Sequence, residues 1–300
     1  MHIRVLPLAL AALPFVTSMA AAQGLPVGAT VANASFTAYT QLDADIDGGG
    51  EAKFSGAFAL GSVTRRFSQA VTAGVSLRYD YEKWDWSGAN DLGGEPWNRL
   101  HRPGLGATFV YATPDGLAIT VLPAVEWAYE SGASTGDALN WGAAFAVSKR
   151  FSPDLLLGVG AGVYREIDDD VVVPVLLVDW RISDRLRVGN PAQTGPAGGA
   201  GLELVWTPGD RWEFAAGGVW RSYRFRLNRN GPVPDGIGEK SSLPLLARAT
   251  WRPTPSTRLD FYAGAAVAGE ITLYDRDNNE IVSRDMDPAA LFGVTFGARF

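Results

Sequence analysis

The segment Ala289-Ala290-Leu291-Phe292-Gly293-Val294-Thr295-Phe296-Gly297-Ala298-Arg299-Phe300 alternates with a period of two. One face carries Ala290, Phe292, Val294, Phe296, Ala298 and Phe300; the other carries Leu291, Gly293, Thr295, Gly297 and Arg299. A strand sends successive side chains to opposite sides, so one side is apolar and aromatic while the other is small or polar. A soluble sandwich strand could alternate in this way, but few soluble domains end on an aromatic residue that completes the pattern. The rest of the chain decides between an oily exterior and a dry core.

The same division recurs upstream. Over 70–84, Val71, Ala73, Val75, Leu77, Tyr79 and Tyr81 oppose Thr72, Gly74, Ser76, Arg78, Asp80 and Glu82. Over 117–130, Leu117, Ile119, Val121, Val125, Trp127 and Tyr129 oppose Thr120, Glu126 and Glu130. Over 258–274, Leu259, Phe261, Ala263, Ala265, Val267, Ile271 and Leu273 oppose Asp260, Tyr262, Gly264, Glu270 and Thr272. Charges inside strands fall opposite the apolar face, which suits a wet interior and an oily outside better than a soluble lipocalin-like barrel, whose apolar side chains point inward.

Two kinds of connection alternate along the chain. Short ones, rich in Pro, Gly, Asp and Ser, lie at 66–69, 113–116, 151–154, 183–185, 207–210 and 253–256; those residues preset the φ angles and local hydrogen bonds of tight reversals. Polar and mostly longer ones lie at 43–50, 85–103, 131–138, 168–170, 190–198, 227–240 and 275–288. The spacing predicts fourteen strands, near 30–42, 51–64, 70–84, 104–113, 117–130, 139–150, 155–167, 171–182, 186–190, 199–207, 212–226, 241–252, 258–274 and 289–300. If the short, Arg-rich 186–190 segment pairs differently, the count becomes twelve. An even number of strands, short turns at one end and long loops at the other are the requirements of an all-β, antiparallel up-and-down transmembrane β-barrel, because lipid tolerates no unpaired edge.

Composition agrees. Arg4, an apolar run from Val5 to Val16 and Ala20-Ala21-Ala22 have the layout of a secretory signal peptide, predicting a signal over 1–22 and a barrel over 23–300. There is no cysteine, which excludes disulfides, thiol chemistry and Cys-based metal sites. No stretch after residue 22 has 18 residues free of charges and helix breakers, so transmembrane helices are excluded. Mean hydropathy is near zero, as alternating strands require. After loss of Arg4, 25 basic and 32 acidic residues leave a net charge of −7, which gives no support for nucleic-acid binding. Tryptophans sit toward both strand ends: Trp180, Trp206, Trp212 and Trp251 by short turns, and Trp84, Trp86, Trp127, Trp141 and Trp220 by long loops. With Phe300 they are expected to form the two membrane girdles, since the indole ring favours the membrane–water interface.

Together, the signal, alternation, two-ended connections, girdles and closing Phe300 resemble the bacterial outer-membrane β-barrel superfamily, across residues 30–300. Within it, Val173-Pro174-Val175-Leu176-Leu177-Val178-Asp179-Trp180-Arg181-Ile182 is similar to an uncharacterised family of predicted outer-membrane barrels. The resemblance implies an outer-membrane location, contact with outer-membrane lipid and insertion by the barrel assembly machinery. It implies no activity.

By parity the interior carries Arg78, Asp80, Glu82, Glu126, Glu130, Asp179, Arg181, Glu203, Glu213, Arg221, Arg248, Asp260, Glu270 and Arg299. Such charges either line an aqueous channel or fill the barrel as salt bridges. Inward Gly74, Gly142, Ala144, Gly158, Gly160, Gly162, Gly264, Gly293 and Gly297 leave space and favour a passive porin-like channel for ions or small solutes. Constriction would then come from the 85–103 or 227–240 loop folding inward.

Two other readings stay open. His101, placed in the 85–103 loop with Ser87 and Glu95, is the one histidine left after export and could serve as general base of a lipid-acting barrel enzyme; no local nucleophile signature accompanies it. A structural or surface-binding barrel is the other. Asp43, Asp45 and Asp47 have the spacing that opens a calcium-binding EF-hand loop, but the twelfth position is Phe54 rather than Glu, so no metal or other cofactor is expected.

Overall fold

The computed structural model describes residues 3–5, 25–191 and 200–300. The predicted signal peptide falls outside these residues except for Ile3–Val5, which pairs in parallel with Asp170–Val172.

Apart from Ile3–Val5, the strand segments form one closed antiparallel barrel of fourteen staves. These are β1 (Thr30–Asp45), β2 (Glu51–Arg66), β3 (Val71–Ser87), β4 (Arg99–Ala112), β5 (Leu117–Trp127, resumed at Tyr129–Glu130), β6 (Leu139–Ser152) and β7 (Leu155–Glu166). The circuit continues with β8 (Asp169–Ser183), β9 (Leu186–Gly189), β10 (Ala200–Trp206), β11 (Trp212–Arg226), β12 (Ile237–Thr254) and β13 (Thr257–Tyr274). It ends in β14 (Ala289–Arg299), which Glu280–Met286 leads into. Closure comes from β14 pairing with β1, Leu291 against Gln41 through Arg299 against Asn33. Phe292, Val294 and Phe296 are exposed on its outer face while Thr295 is fully buried inside, hydroxyl to hydroxyl with Thr37 at 2.7 Å.

The short turns follow their chemistry. At Thr113-Pro114-Asp115-Gly116 the Thr113 hydroxyl bonds Asp115, and Gly116 takes φ +84°, which only glycine adopts at no steric cost.

The long-loop end departs from expectation because the staves are longer than predicted. β3 and β4 take up 85–87 and 99–103, β12 begins at Ile237, and Glu280–Met286 occupies the 275–288 loop. A stave of 17 residues is roughly 40 Å tall after tilting, against an apolar band of about 25 Å. Much of β1–β3 and β11–β13 therefore stands beyond the membrane. The apolar faces there need cover, and they turn inward on each other.

The wall has one internal stitch. β9 stops at Gly189, and Asn190 supplies what a longer strand would have. Its Oδ1 accepts from Val178 N at 2.9 Å, and its Nδ2 donates to Leu176 O at 3.0 Å and Gly201 O at 3.1 Å, joining β8 to β10. Replacing Asn190 with Ala leaves these backbone groups unmatched in a water-poor wall. An unfolding free energy lower by about 1–3 kcal/mol is expected, measured by urea titration in detergent; an unchanged midpoint would show that the stitch is dispensable.

Candidate functional site: a capped lumen

Three layers fill the interior. The outermost is an apolar cap at the long-loop end, where Tyr39, Phe54, Phe58, Trp84, Trp97, Leu100, Phe225, Leu227, Ile271 and Leu273 form one cluster. Trp84 is fully buried; its ring stacks on Phe54 at 4.7 Å and meets Trp97 edge-on at 5.4 Å. Trp97 in turn packs edge-on against Phe225 at 5.0 Å. Both loops expected to fold inward contribute. Leu92 and Trp97 enter from 88–98, and Leu227 and Val233 from 227–236. Asn90 knots the first loop by accepting from Leu92 N and Gly94 N, both at 3.1 Å. Buried Glu130 clasps the two loops together, accepting from Asn98 N and Asn228 N, each at 2.9 Å.

Beneath the cap lies a layer of paired charge. Arg102 bridges Asp80 and Glu82, the latter at 3.2 Å, and its guanidinium lies 3.6 Å from the centre of the Tyr223 ring. Arg221 stands 3.6 Å from Asp80 and 3.9 Å from Glu82. Tyr39 donates to Asp80 at 2.8 Å and Glu82 at 3.0 Å, and Tyr223 also donates to Glu82. The Lys240 ammonium sits over Phe54 at 3.8 Å and Trp84 at 4.7 Å, a cation–π seat joining the charged layer to the cap. Alongside, Arg224 reaches Asp169 at 3.5 Å and Glu239 at 3.3 Å, and Arg226 reaches Asp168 at 2.7 Å.

Toward the short-turn end, Arg248 holds Glu203 at 2.7 Å and Glu213 at 2.8 Å, with Asp260 at 3.9 Å. Thr250 links to Asp260 at 2.7 Å, and Arg252 and Arg258 close on Glu213 and Asp260 from the mouth. Parity thus placed Asp80, Glu82, Glu130, Glu203, Glu213, Arg248 and Asp260 inside, where all are buried. Arg78 pairs with Glu126, and Asp179 with Arg187 at 3.4 Å.

Several expectations are corrected. Glu270 is exposed past the β13 bulge and accepts from Ser283 at 2.6 Å, whereas Arg181, paired with Asp154 at 3.7 Å, and Arg299 keep the inward parity of their strands and are exposed at the short-turn rim. Ile271 and Leu273, read as outward, are buried in the cap because Ala268 takes φ +48° at a bulge that resets the parity of β13. Trp84, expected in a girdle, is the centre of the cap, and Trp86 packs against it. Trp141, Trp180, Trp206, Trp212 and Trp251 are exposed on the outside and Phe300 at the end; Trp127 and Trp220 are half-buried. The inward glycines do not all open space. A Cβ on Gly162 would lie 2.4 Å from the Tyr164 ring, and one on Gly56 2.4 Å from Tyr39, so rings lie flat against the wall there.

Arg102, Arg224, Arg226 and Lys240 were missed. Arg102 and Lys240 lie where a loop was predicted and a strand continues, and extended period-two counting would have placed them. Arg224 and Arg226 lie at the end of the predicted strand, on the parity opposite Glu213 and Arg221, where counting points outward although both are buried. His101 is also on a strand. Its Nδ1 meets Tyr79 Oη at 2.7 Å and its Nε2 meets Ser131 Oγ at 2.9 Å, whereas Ser87 faces Glu51 at 3.5 Å and Glu95 is exposed. Asp43 and Asp45 lie on β1, with Asp43 paired to Lys53 at 3.3 Å. Among the described residues no group of three His, Cys, Asp or Glu side chains is arranged to hold a metal.

No family model matches the sequence, so the likeness of the Val173–Ile182 segment to an uncharacterised family rests on that segment alone. No curated protein matches either. Among solved structures, an outer-membrane channel from Pseudomonas putida F1 is similar over 93% of this chain and 98% of its own, at 11% identity and a TM-score of 0.49. A FadL homologue from Pseudomonas aeruginosa covers 90% and 89% at 12% identity and 0.45. The translocator domain of the autotransporter NalP from Neisseria meningitidis covers 96% and 93% at 12% identity and 0.41. These likenesses are of fold alone; the closed antiparallel barrel stands on its own strand pairing, β14 against β1, and its exposed apolar outer face is that of a transmembrane barrel.

Proposed function

We propose that this barrel is an outer-membrane channel for ions or small solutes, captured with its long-loop mouth shut. One observation supports this most: the mouth is closed by two loops and projecting strand ends, not by the membrane-embedded wall. Loops held by hydrogen bonds to Glu130, by the Asp91–Arg284 ion pair and by apolar packing in the cap can move without breaking a single stave. Beneath them the passage is lined by charge pairs that an entering ion or polar solute can exchange with. Among the described residues seven carboxylates and five cationic side chains are buried, so a modest preference for cations is expected.

The test is planar-bilayer conductance of refolded residues 23–300, beside a variant lacking 89–96. The intact chain should show rare, brief openings and the shortened one long-lived steps, with a reversal potential of cation sign in a salt gradient. Silence from the shortened barrel, with heat-modifiable gel migration proving that it is folded, would sink the channel reading and leave a structural barrel.

A further inference from the structure

His101 is not part of the lumen. It shares the outer face of β4 with Leu105, Phe109 and Tyr111, each more than half exposed. Tyr111 lies near the short-turn end, and ten residues along a tilted strand rise roughly 25 Å, the height of a barrel's apolar band. His101 therefore stands at the upper edge of that band, level with the headgroups and ester linkages of the outer leaflet. Its ring is fixed by stacking on Tyr129 at 5.4 Å between centroids, by Tyr81 at 5.3 Å, and by hydrogen bonds at both nitrogens.

We propose that Ser131 and His101 form a nucleophile–base pair on the outer wall that hydrolyses acyl esters of membrane lipids, with Tyr79 as positioning residue. The pair has the spacing this chemistry needs, Oγ to Nε2 at 2.9 Å, and the base is oriented by a third group, Tyr79 Oη at 2.7 Å from Nδ1. With Nδ1–H donated to Tyr79, Nε2 is the acceptor of the Ser131 proton. Ser131 Oγ then bonds the ester carbonyl carbon as its proton passes to Nε2. Collapse of the tetrahedral intermediate breaks the bond to the lipid alkoxide, which leaves with that proton. Water adds to the acyl-serine, returns a proton through Nε2 to Oγ, and releases the fatty acid.

An amide that can donate to the oxyanion lies beside the nucleophile. The next residue, Gly132, has φ +90°, and the Asn228 amide fills the place of a Gly132 Cβ, its nitrogen at 2.8 Å and its oxygen at 2.9 Å; Oδ1 accepts from Asn230 N at 2.9 Å, which leaves Nδ2 as the donor. No pocket is required, because the substrate arrives within the membrane that the wall faces.

The decisive experiment uses the full chain in vesicles of phosphatidylethanolamine and phosphatidylglycerol, with and without lipopolysaccharide, following fatty-acid release. A fluorophosphonate probe, mapped by mass spectrometry, reports the nucleophile. Ser131 should carry the label, and Ser131→Ala and His101→Asn should each lose at least about a hundredfold in turnover. Tyr79→Phe should lower kcat by a smaller factor with KM unchanged. Release that needs lipopolysaccharide identifies its acyl esters as substrate; release from phospholipid alone identifies glycerol esters. Heat-modifiable migration of each variant shows that the barrel is intact. Absence of label on Ser131, or release equal to that of folded Ser131→Ala, overturns the proposal.

Discussion

Replacing Trp84 with Ala is expected to open the barrel and weaken it together. The side chain is fully buried between Phe54, Trp86 and Trp97, supports one side of the Lys240 ammonium, and donates from Nε1 to Glu82 at 3.1 Å. Truncation leaves a void that the strand-borne neighbours, Phe54 and Trp86, can fill only by breaking register. The cost is about 3–5 kcal/mol. Because Trp97 loses a partner and enters from a loop, the strain is relieved at the loop, and long-lived conductance steps should appear. Trp84→Phe keeps most of the volume and should cost less while keeping the rare, brief openings of the intact chain. The two readouts, denaturant midpoint and single-channel record, must move together. Destabilisation with an unaltered record would mean that the cap is a structural core and the passage is blocked below it.

The second large effect belongs to Arg248. It is the shared partner of Glu203 and Glu213 and approaches Asp260, all in a buried part of the lumen. Removing one partner of a buried ionic cluster costs about 3–5 kcal/mol, because the remaining charges are left uncompensated, whereas replacing the whole cluster by apolar groups can be neutral. Arg248→Ala should therefore unfold at clearly lower denaturant, and Glu203→Gln with Glu213→Gln should recover much of the loss. A drop below about 1 kcal/mol for the single variant would show that water reaches this layer and screens it, which would itself mean a wetter lumen than the burial implies.

How much of this was legible beforehand can be judged residue by residue. Asp80, Glu82, Glu203, Glu213 and Asp260 were placed inside by counting in twos from an apolar neighbour, because the pleat admits no other geometry while a strand stays regular. The same counting puts Trp84 inside with Asp80 and Glu82. Its composition as an aromatic near a loop suggested a girdle instead, and parity was the better guide. Arg102 and Lys240 escaped because polar composition was taken as loop, although strands that leave the membrane can be polar on both faces and still pair.

The sequence by itself determined the barrel, its fourteen staves, the two-ended connectivity and the sign of each face. These follow from period-two alternation and from the need of every backbone group in lipid for a partner. Only the tertiary structure decided that the mouth is shut, that Ile271 and Leu273 turn inward past the Ala268 bulge, and that His101 meets Ser131 rather than Ser87. Bulges reset parity through a single backbone angle that composition does not encode. Contacts between loops 30 or more residues apart depend on how the staves curve round to meet. The pairing of His101 with Ser131 exists because β4 and the continuation of β5 lie side by side, a neighbourhood that register sets and local sequence cannot express.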